Sequence, residues 1–352
     1  MTLEFTELAD GYRIPRLING GWQLSQGHAD DTRSSEEVLR DLVRCVDAGL
    51  TAFDCADIYT GVEDLLGELT ERVRRDLGAE RARRIRVHTK CVPDLDLLPR
   101  ITRGDIVRLI DRSLRRLRRE RLDLVQFHWW DYEIPGYVDT ILWLEELRQA
   151  GKIHHLGVTN FDVPRLREMA GAGAQIVAHQ LQYSLLDRRP LNGMARFCAE
   201  NGITLLAYGT LAGGFLTDKW LGRPAPESPF TNRSLVKYRL IIEEAGGWDA
   251  FQALLGALKR IADHHGATIA RVAVRWLLDQ PSVGAAIVGT RGAKYLDDTL
   301  RIFDLRLDTS DIAAIDVALS QLPSPPGDTY TLERDRDGVH GSIMRYNLNA
   351  KS

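Results

Sequence analysis

Strand-like apolar runs alternate with segments of helical periodicity over most of the 352 residues. Because strands separated by helices pair in parallel and are buried on both faces, this alternation predicts a parallel sheet. Eight such strands in one chain favour a closed (β/α)8 barrel over an open doubly wound sheet. The predicted strands cover 17–24, 51–56, 85–90, 123–129, 153–160, 177–183, 204–209 and 283–289. Helical patterns lie near 34–48, 62–77, 103–119, 137–150, 163–170, 192–201, 249–279, 293–300 and 309–320.

Two segments show no regular period. Residues 210–247 are rich in Gly and Pro, and the tail 323–352 has no helical pattern. Long irregular segments in compact domains are usually functional or disordered. We therefore predict a single-domain α/β barrel over 1–322, with the 210–247 loop and the tail packing near the barrel mouth as pocket walls.

Composition restricts the partners. A hydrophobic content of 44% and a formal net charge of −3 are typical of a globular protein that binds neither nucleic acid nor an anionic membrane. The arginine-rich run 112–121 lies on a helix with apolar residues at regular spacing, which predicts a solvated helix face.

The cysteines are scattered and no secretory signal is recognisable, so a cytoplasmic location is expected. No histidine or cysteine spacing predicts a metal site, and the oligomeric state is left open.

Polar side chains gather where the predicted strands end. They are Asp54, Lys90, His128, Asn160, Gln182 and Tyr208. Barrel enzymes build their sites from the carboxyl-terminal ends of several strands. Inside an ordinary buried strand such side chains would be costly unless they were paired. The pattern therefore predicts an active site at the carboxyl-terminal face of the barrel.

Three of these polar residues, together with Tyr59, suggest proton transfer. Tyr59 could be a general acid, because a phenol keeps its proton at neutral pH and can give it to a developing alkoxide. A neighbouring cation would lower the pKa of Tyr59, and Lys90 is the available ammonium. Asp54 would serve as the counter-ion of Lys90. His128 could donate a hydrogen bond to a carbonyl oxygen, so the set predicts stabilisation of an oxyanion.

Each of these residues also has a structural explanation when taken alone. Asp54 and Lys90 could form a structural ion pair, and His128 could be a satisfied core histidine. Their coincidence at matching strand ends favours function. For the aromatic residues, Trp22 is expected to form a wall of the substrate pocket, whereas Trp129 is as compatible with packing as with the pocket.

The motifs and their order are similar to those of the aldo/keto reductase superfamily over roughly residues 13 to 320. The Asp, Tyr, Lys and His tetrad of that family matches Asp54, Tyr59, Lys90 and His128. The motifs that carry the resemblance are "FDCADIYTGVEDLLG", "HTK", "DLVQFHWW", "GKIHHLGVTNF", "QLQYSLLDR", "LLAYGTLAGGFLTDK" and "AAIVGTRGAKYLDDT".

The resemblance implies a nicotinamide cofactor bound across the barrel mouth without a Rossmann domain. It implies that Thr159, Asn160 and Gln182 hold the carboxamide and that Tyr208 stacks on the ring. Arg291 would bind a 2′-phosphate, since its planar fork suits phosphate oxygens, so NADP(H) is favoured and NAD(H) remains possible. The other positions carried over as cofactor contacts are Gly21, Trp22, Gly209, Leu211, Gly289, Thr290 and Asp298.

The predicted function is therefore an NADP-dependent oxidoreductase that interconverts an aldehyde or ketone and an alcohol, with Tyr59 as the proton donor. The substrate would contact Trp22, Tyr59, His128 and Trp129. Two alternatives stay open: a lyase or isomerase that uses Lys90 as a Schiff-base amine, and a cofactor-binding regulatory or scaffold barrel with little turnover. The identity of the carbonyl or alcohol substrate is not predicted.

Overall fold

Eight parallel strands close into a barrel, as predicted. The computed structural model describes residues 2–25, 33–227, 230, 233–289 and 292–349. The barrel strands follow one another around the ring in chain order, with the last strand pairing with the first. They are β3 (Leu17–Gly20), β4 (Ala52–Asp54), β5 (Arg86–Cys91), β6 (Leu122–Phe127), β7 (Ile153–Thr159), β8 (Ile176–Gln182), β9 (Thr204–Tyr208) and β10 (Val283–Gly289).

Helices surround the barrel and begin at capping residues that the sequence supplies. Ser34 forms a capping box with Glu37 at the first helix, and Thr102 forms one with Asp105 at the fourth, which satisfies free backbone N–H groups. The helices are α1 (Ser35–Asp47), α2 (Val62–Asp76), α3 (Ala79–Arg83), α4 (Arg103–Leu117), α5 (Tyr137–Gln149), α6 (Val163–Gly171), α7 (Met194–Glu200), α8 (Arg233–Glu244), α9 (Gly247–His264), α10 (Ile269–Leu278), α11 (Leu296–Leu300), α12 (Thr309–Ser320) and α13 (Thr331–Arg334). Within the described ranges, no helix combines the length and the apolar character needed to cross a membrane.

The prediction of an irregular 210–247 segment is wrong for its second half, which contains α8. Tyr238, Ile241 and Ile242 are buried on one face of this helix, the spacing expected of an amphipathic helix. The predicted helix 249–279 is two helices, α9 and α10. Gly266 has a φ of +59° between them, and the Thr268 side chain caps the second.

An antiparallel hairpin that the sequence did not predict covers the amino-terminal end of the barrel. It consists of β1 (Phe5–Ala9) and β2 (Tyr12–Pro15), joined by a turn in which Gly11 has a φ of +70°. Leu8, Tyr12 and Ile14 pack in one buried cluster with apolar residues of the barrel strands. The cluster also contains Ile18, Ala52, Leu124, Ala178, Leu206, Ala285 and Ile287. This end of the barrel is therefore closed by packing.

Candidate active site

A cavity of about 750 Å³ lies at the opposite end, where the strands finish. This volume is in the range of small-molecule and cofactor sites. Its walls come from the strand ends, the segment 208–220, the amino-terminal half of α8, the start of α10 and the tail. The tail contributes Tyr330, Ile343, Met344, Arg345 and Leu348.

Asp54, Tyr59 and Lys90 lie together at the base of this cavity. The Lys90 ammonium donates to both carboxylate oxygens of Asp54 and to the Cys55 carbonyl, each at 2.8 Å. The same ammonium hydrogen-bonds the Tyr59 hydroxyl and lies 4.9 Å from the centre of the Tyr59 ring. Burial opposes the charge on Lys90, but Asp54 and Tyr59 outweigh that cost and raise the pKa of the ammonium. Lys90 is therefore a fixed positive charge beside the phenol.

Two buried glutamine side chains donate hydrogen bonds to the Asp54 carboxylate. The Gln180 amide donates to Asp54 Oδ1 at 2.6 Å, and the Gln126 amide reaches the same oxygen at 3.3 Å. Gln180 also donates to Gln126 Oε1 at 3.0 Å. All three residues are buried, so the network satisfies polar groups that would otherwise be costly. Neither glutamine was singled out in the sequence.

The net shift in the pKa of Tyr59 is upward, which contradicts the expectation of a lowered pKa, although Lys90 acts in the predicted direction. Burial raises the pKa of Tyr59 to about 12, although the Lys90 charge acts in the opposite direction. Desolvation disfavours the phenolate more than one ammonium can compensate, and the Asp54 charge adds to the upward shift. The Trp22 ring packs edge-on against Tyr59 at 5.0 Å between ring centres. Tyr59 is therefore a neutral proton donor at physiological pH.

His128 follows β6 and lies in the cavity wall. Its Nδ1 is 3.0 Å from the Thr159 carbonyl oxygen at the end of β7. The ring contacts Trp130 edge-on at 4.4 Å and Tyr330 at 5.7 Å between ring centres. Burial, reinforced by the Arg334 charge, lowers the pKa of His128 to about 3. The imidazole is therefore neutral at physiological pH.

Most residues expected at a cofactor site line the cavity. Asn160 has a φ of +63°, an uncommon conformation for a residue other than glycine, and it accepts a hydrogen bond from the Tyr208 hydroxyl at 2.9 Å. Asp298 lies at the other end of the cavity and pairs with Arg271 at 3.0 Å. The expected residues found on the cavity wall are Trp22, Thr159, Asn160, Tyr208, Gly209, Leu211, Gly289 and Asp298.

Three expected site residues do not line the cavity. Trp129 is fully buried and donates to the Ile134 carbonyl, because successive residues after β6 point to opposite sides; Trp130 lines the cavity instead. Gln182 donates to Asp187 at 2.6 Å. Gln180, two residues earlier on the same strand face, lines the cavity instead.

The third is Gly21. Its amide donates to the Asp54 carbonyl at 2.8 Å, and a Cβ there would lie 2.6 Å from that carbonyl oxygen. Glycine is therefore required by close packing of the chain rather than by the cavity. Thr290 and Arg291 lie outside the described residues.

The sequence did not indicate a cluster of aromatic and charged residues where α8 meets the tail. The Lys237 ammonium lies 5.2 Å, 5.8 Å and 5.6 Å from the ring centres of Tyr208, Tyr238 and Tyr330. It also pairs with Glu333 at 3.6 Å. Cation–π contacts of this kind favour a partly buried ammonium. The amphipathic pattern of α8 could have indicated that Tyr238 is buried, whereas no local sequence pattern marks Tyr330.

A closed parallel barrel with an Asp–Lys–Tyr group in a cavity at the carboxyl-terminal ends of its strands has the architecture of a barrel enzyme. The family model described as the aldo/keto reductase family matches residues 16–320. The chain belongs to this family, whose members carry out NAD(P)H-dependent carbonyl reduction.

Individual relatives cover most of the chain. Aldo-keto reductase YhdN of Bacillus subtilis (strain 168) is 28% identical over 92% of this chain and 96% of its own length. L-glyceraldehyde 3-phosphate reductase of Escherichia coli (strain K12) is 28% identical over 87% of this chain and 89% of its own. The crystal structure of the thermostable aldo-keto reductase Tm1743 with the inhibitor epalrestat is similar at a TM-score of 0.70 and 27% identity, covering 90% of this chain and all of that one.

Proposed function

We propose that this protein reduces an aldehyde or ketone to an alcohol with NADPH and that Tyr59 donates the proton. The observation that carries the proposal is the Tyr59–Lys90–Asp54 group at the base of the cavity. A protonated phenol beside a fixed ammonium provides a proton and stabilises the negative charge left behind.

The cavity suits a nicotinamide dinucleotide. The Asn160 amide and the Tyr208 ring lie near the tetrad, and the cationic side chains Lys219 and Arg271 line the far end. Cations and a planar guanidinium suit phosphate groups. We favour NADPH over NADH because Arg291 follows Gly289 in the sequence.

A bound reduced nicotinamide would supply the hydride, that is, the two electrons and one hydrogen that form the new C–H bond. Tyr59 gives its proton to the carbonyl oxygen, which completes the alcohol. Lys90 stabilises the resulting tyrosinate, and solvent restores the Tyr59 proton. Asp54 and its two glutamine partners keep the ammonium in place.

The Schiff-base alternative is disfavoured by the state of Lys90. An amine must lose its proton to attack a carbonyl, whereas Asp54 raises the pKa of Lys90. Three acceptors at 2.8 Å also surround its nitrogen. Borohydride treatment in the presence of a substrate carbonyl should therefore leave the mass of the protein unchanged.

The proposal is tested by following nicotinamide absorbance over a panel of aldehydes and ketones, and over alcohols in reverse, with NADPH and NADH in parallel. We expect turnover of at least one carbonyl, with a higher kcat/KM for NADPH. Tight NADPH binding without turnover of any compound would favour the regulatory or scaffold alternative and contradict the proposal.

We also propose a reducing, cytosolic location. All four cysteines, Cys45, Cys55, Cys91 and Cys198, are buried and free, as in proteins of reducing compartments.

We further propose that the chain divides into a barrel (1–322) and a tail (323–352). The tail lies against the mouth of the barrel through Arg334. Its guanidinium donates to the carbonyls of Trp129, Trp130 and Asn160 at 2.5–2.7 Å.

A further inference from the structure

The last part of the tail, residues 342–349, forms one side of the cavity, and we call this segment the strap. Tyr346 of the strap packs edge-on against Trp130, at 5.2 Å between ring centres. Lys90, in the same cavity, is only 5% exposed. The side chains that the strap places on the cavity wall are Ile343, Met344, Arg345 and Leu348. The strap is therefore part of the boundary between the catalytic group and solvent.

The strap is held less firmly than the neighbouring walls. All eight of its residues are described by the structure, and none of them is buried. By contrast, the segment 208–220 is fixed by the buried side chains of Phe215 and Leu216, and α8 by those of Ile241 and Ile242. Segments with few buried contacts open locally at a low cost in free energy. Of these walls, the strap is therefore the one that opens most easily.

Hydrogen bonds join the far end of the strap to the loop that follows β5. The backbone N–H of Leu95 donates to the Tyr346 carbonyl oxygen at 3.0 Å. The backbone N–H of Asp96 donates to Asn347 Oδ1 at 3.1 Å. These two N–H groups are on the barrel side of the contact, so their protection from solvent depends on whether the strap lies in place.

Asn349 joins the strap to three separate elements. Its side-chain amide donates to the Val92 carbonyl oxygen at 2.6 Å and to Asp57 Oδ2 at 3.2 Å. Its backbone N–H donates to Asp94 Oδ1 at 2.8 Å, and Arg112 on α4 donates to its side-chain oxygen. Asp57 is buried, and a buried carboxyl group needs such donors. Asn349 therefore fixes the end of the strap better than its neighbours do.

We propose that the strap is a gate that moves away from the cavity to admit the substrate, and that Asn349 is the latch that holds it closed. The hinge lies between Gly341, which is buried, and Ser342, which is exposed. The other end of the tail stays attached, because Glu333 and Arg189 are paired and buried. The inference rests on the proposed function in one respect, namely that a substrate is what the gate admits. Asn349 is a positioning residue and touches no reacting atom.

Hydrogen exchange of the Leu95 and Asp96 amides measures the opening without any turnover, since both amides donate to the strap. Asn349→Ala removes the side-chain bonds of the latch. We expect it to speed the exchange of these two amides roughly 5- to 30-fold, the worth of one to two neutral hydrogen bonds. The amides of α13 should keep their wild-type rates, because that helix remains attached.

Asn192→Ala is the matched control for this comparison. Asn192 also attaches the tail to the barrel, through a hydrogen bond from its side chain to the Gly327 carbonyl oxygen at 3.0 Å, but it lies far from the latch along the tail. Its substitution should leave the exchange of Leu95 and Asp96 unchanged. Equal exchange of these amides in Asn349→Ala and in the wild-type protein would overturn the assignment of the latch.

A covalent lock tests whether the strap must open for turnover. The double variant Asp96→Cys and Asn347→Cys places two thiols where the strap meets the loop, and the four native cysteines are buried and should not compete. We expect oxidation to lower kcat/KM for a carbonyl at least about 10-fold, as for a lid that must open, and dithiothreitol to restore it. The single variant Asn347→Cys should respond to neither treatment.

Unchanged kcat/KM in fully cross-linked protein would overturn the gate, because the substrate would then enter by another route. Absence of turnover in the wild-type protein and the reduced double variant alike would instead contradict the proposed function. The exchange of the Leu95 and Asp96 amides would still decide whether the strap opens and whether Asn349 holds it.

Discussion

Tyr59 should keep its proton throughout the pH range in which the protein can be assayed. Its pKa is raised to about 12, so the donor form is present below that pH and is lost only above it. We therefore expect kcat/KM for carbonyl reduction to be constant from about pH 7 to about pH 10 as far as this residue is concerned. Rates measured in buffers of constant ionic strength will check this, and a fall with an apparent pKa near 8 would contradict it.

Removal of the Tyr59 hydroxyl should abolish most of the activity. A positioned proton donor contributes roughly 10²–10⁴ in rate, so Tyr59→Phe is expected to lower kcat by that factor and to leave NADPH affinity nearly unchanged. Tyr183→Phe is the control, since Tyr183 is a buried tyrosine that does not line the cavity. Full turnover by Tyr59→Phe would show that another group supplies the proton.

Among the elements, α13 is attached to the barrel by buried charges. Arg189 donates to both carboxylate oxygens of Glu333, at 3.0 and 3.2 Å, and to those of Asp187, at 2.7 and 3.0 Å. All three residues are at most 1% exposed. Burial opposes the charge on Glu333, but Lys237 and Arg189 outweigh that effect and lower the pKa of Glu333 to about 2. The stabilising contribution of the carboxylate is therefore complete above about pH 4.5 and is lost as the pH falls towards 2.

Glu333→Ala should therefore destabilise the protein at neutral pH by about 3–5 kcal/mol, because it leaves a buried arginine with one carboxylate fewer. Urea unfolding at pH 7 measures the effect. Glu80→Ala, which removes a carboxylate from exposed ion pairs with Arg83 and Arg84, should change the free energy of unfolding by less than about 0.5 kcal/mol. Equal effects of the two substitutions would contradict a structural role for the buried network.

The elements of the barrel could be predicted because their signal is local. Six of the eight barrel strands are apolar runs that finish at or next to a polar residue, and each predicted strand overlaps an observed one. Helix α8 was missed because the glycines and prolines of 209–226 obscured the apolar face of Tyr238, Ile241 and Ile242. The β1–β2 hairpin was missed because its cluster joins Tyr12 to residues far along the chain.

The position of the site could be predicted from the sequence, but not which neighbouring side chains line it. Asp54, Lys90 and His128 stand at strand ends, so their proximity follows from the fold. Whether Trp129 or Trp130 lines the cavity, and whether Gln180 or Gln182 does, depends on where each strand finishes, which the sequence leaves uncertain by a few residues. The upward pKa shift of Tyr59 depends on burial by distant segments, so no local pattern could have given its sign.

Across the whole molecule, the end of the barrel that is closed by packing and the end that holds the cavity lie opposite each other. Tyr12 closes the amino-terminal end, where its hydroxyl lies 3.1 Å from His88 Nε2, and the cavity opens at the other end. We expect Tyr12→Ala to lower the free energy of unfolding by about 3–5 kcal/mol, the range for loss of a large buried aromatic side chain. The kcat measured well below the unfolding temperature should stay unchanged, and a parallel fall in kcat would show that the two ends are coupled.

Three of the seven tryptophans, Trp22, Trp130 and Trp220, line the cavity. Indole emission overlaps the absorption band of a reduced nicotinamide, so a dinucleotide bound among these rings should quench their fluorescence by energy transfer. Titration with the cofactor, followed by tryptophan fluorescence, would then report cofactor affinity even in inactive variants such as Tyr59→Phe. The barrel thereby contains its own optical probe of occupancy, independent of any substrate.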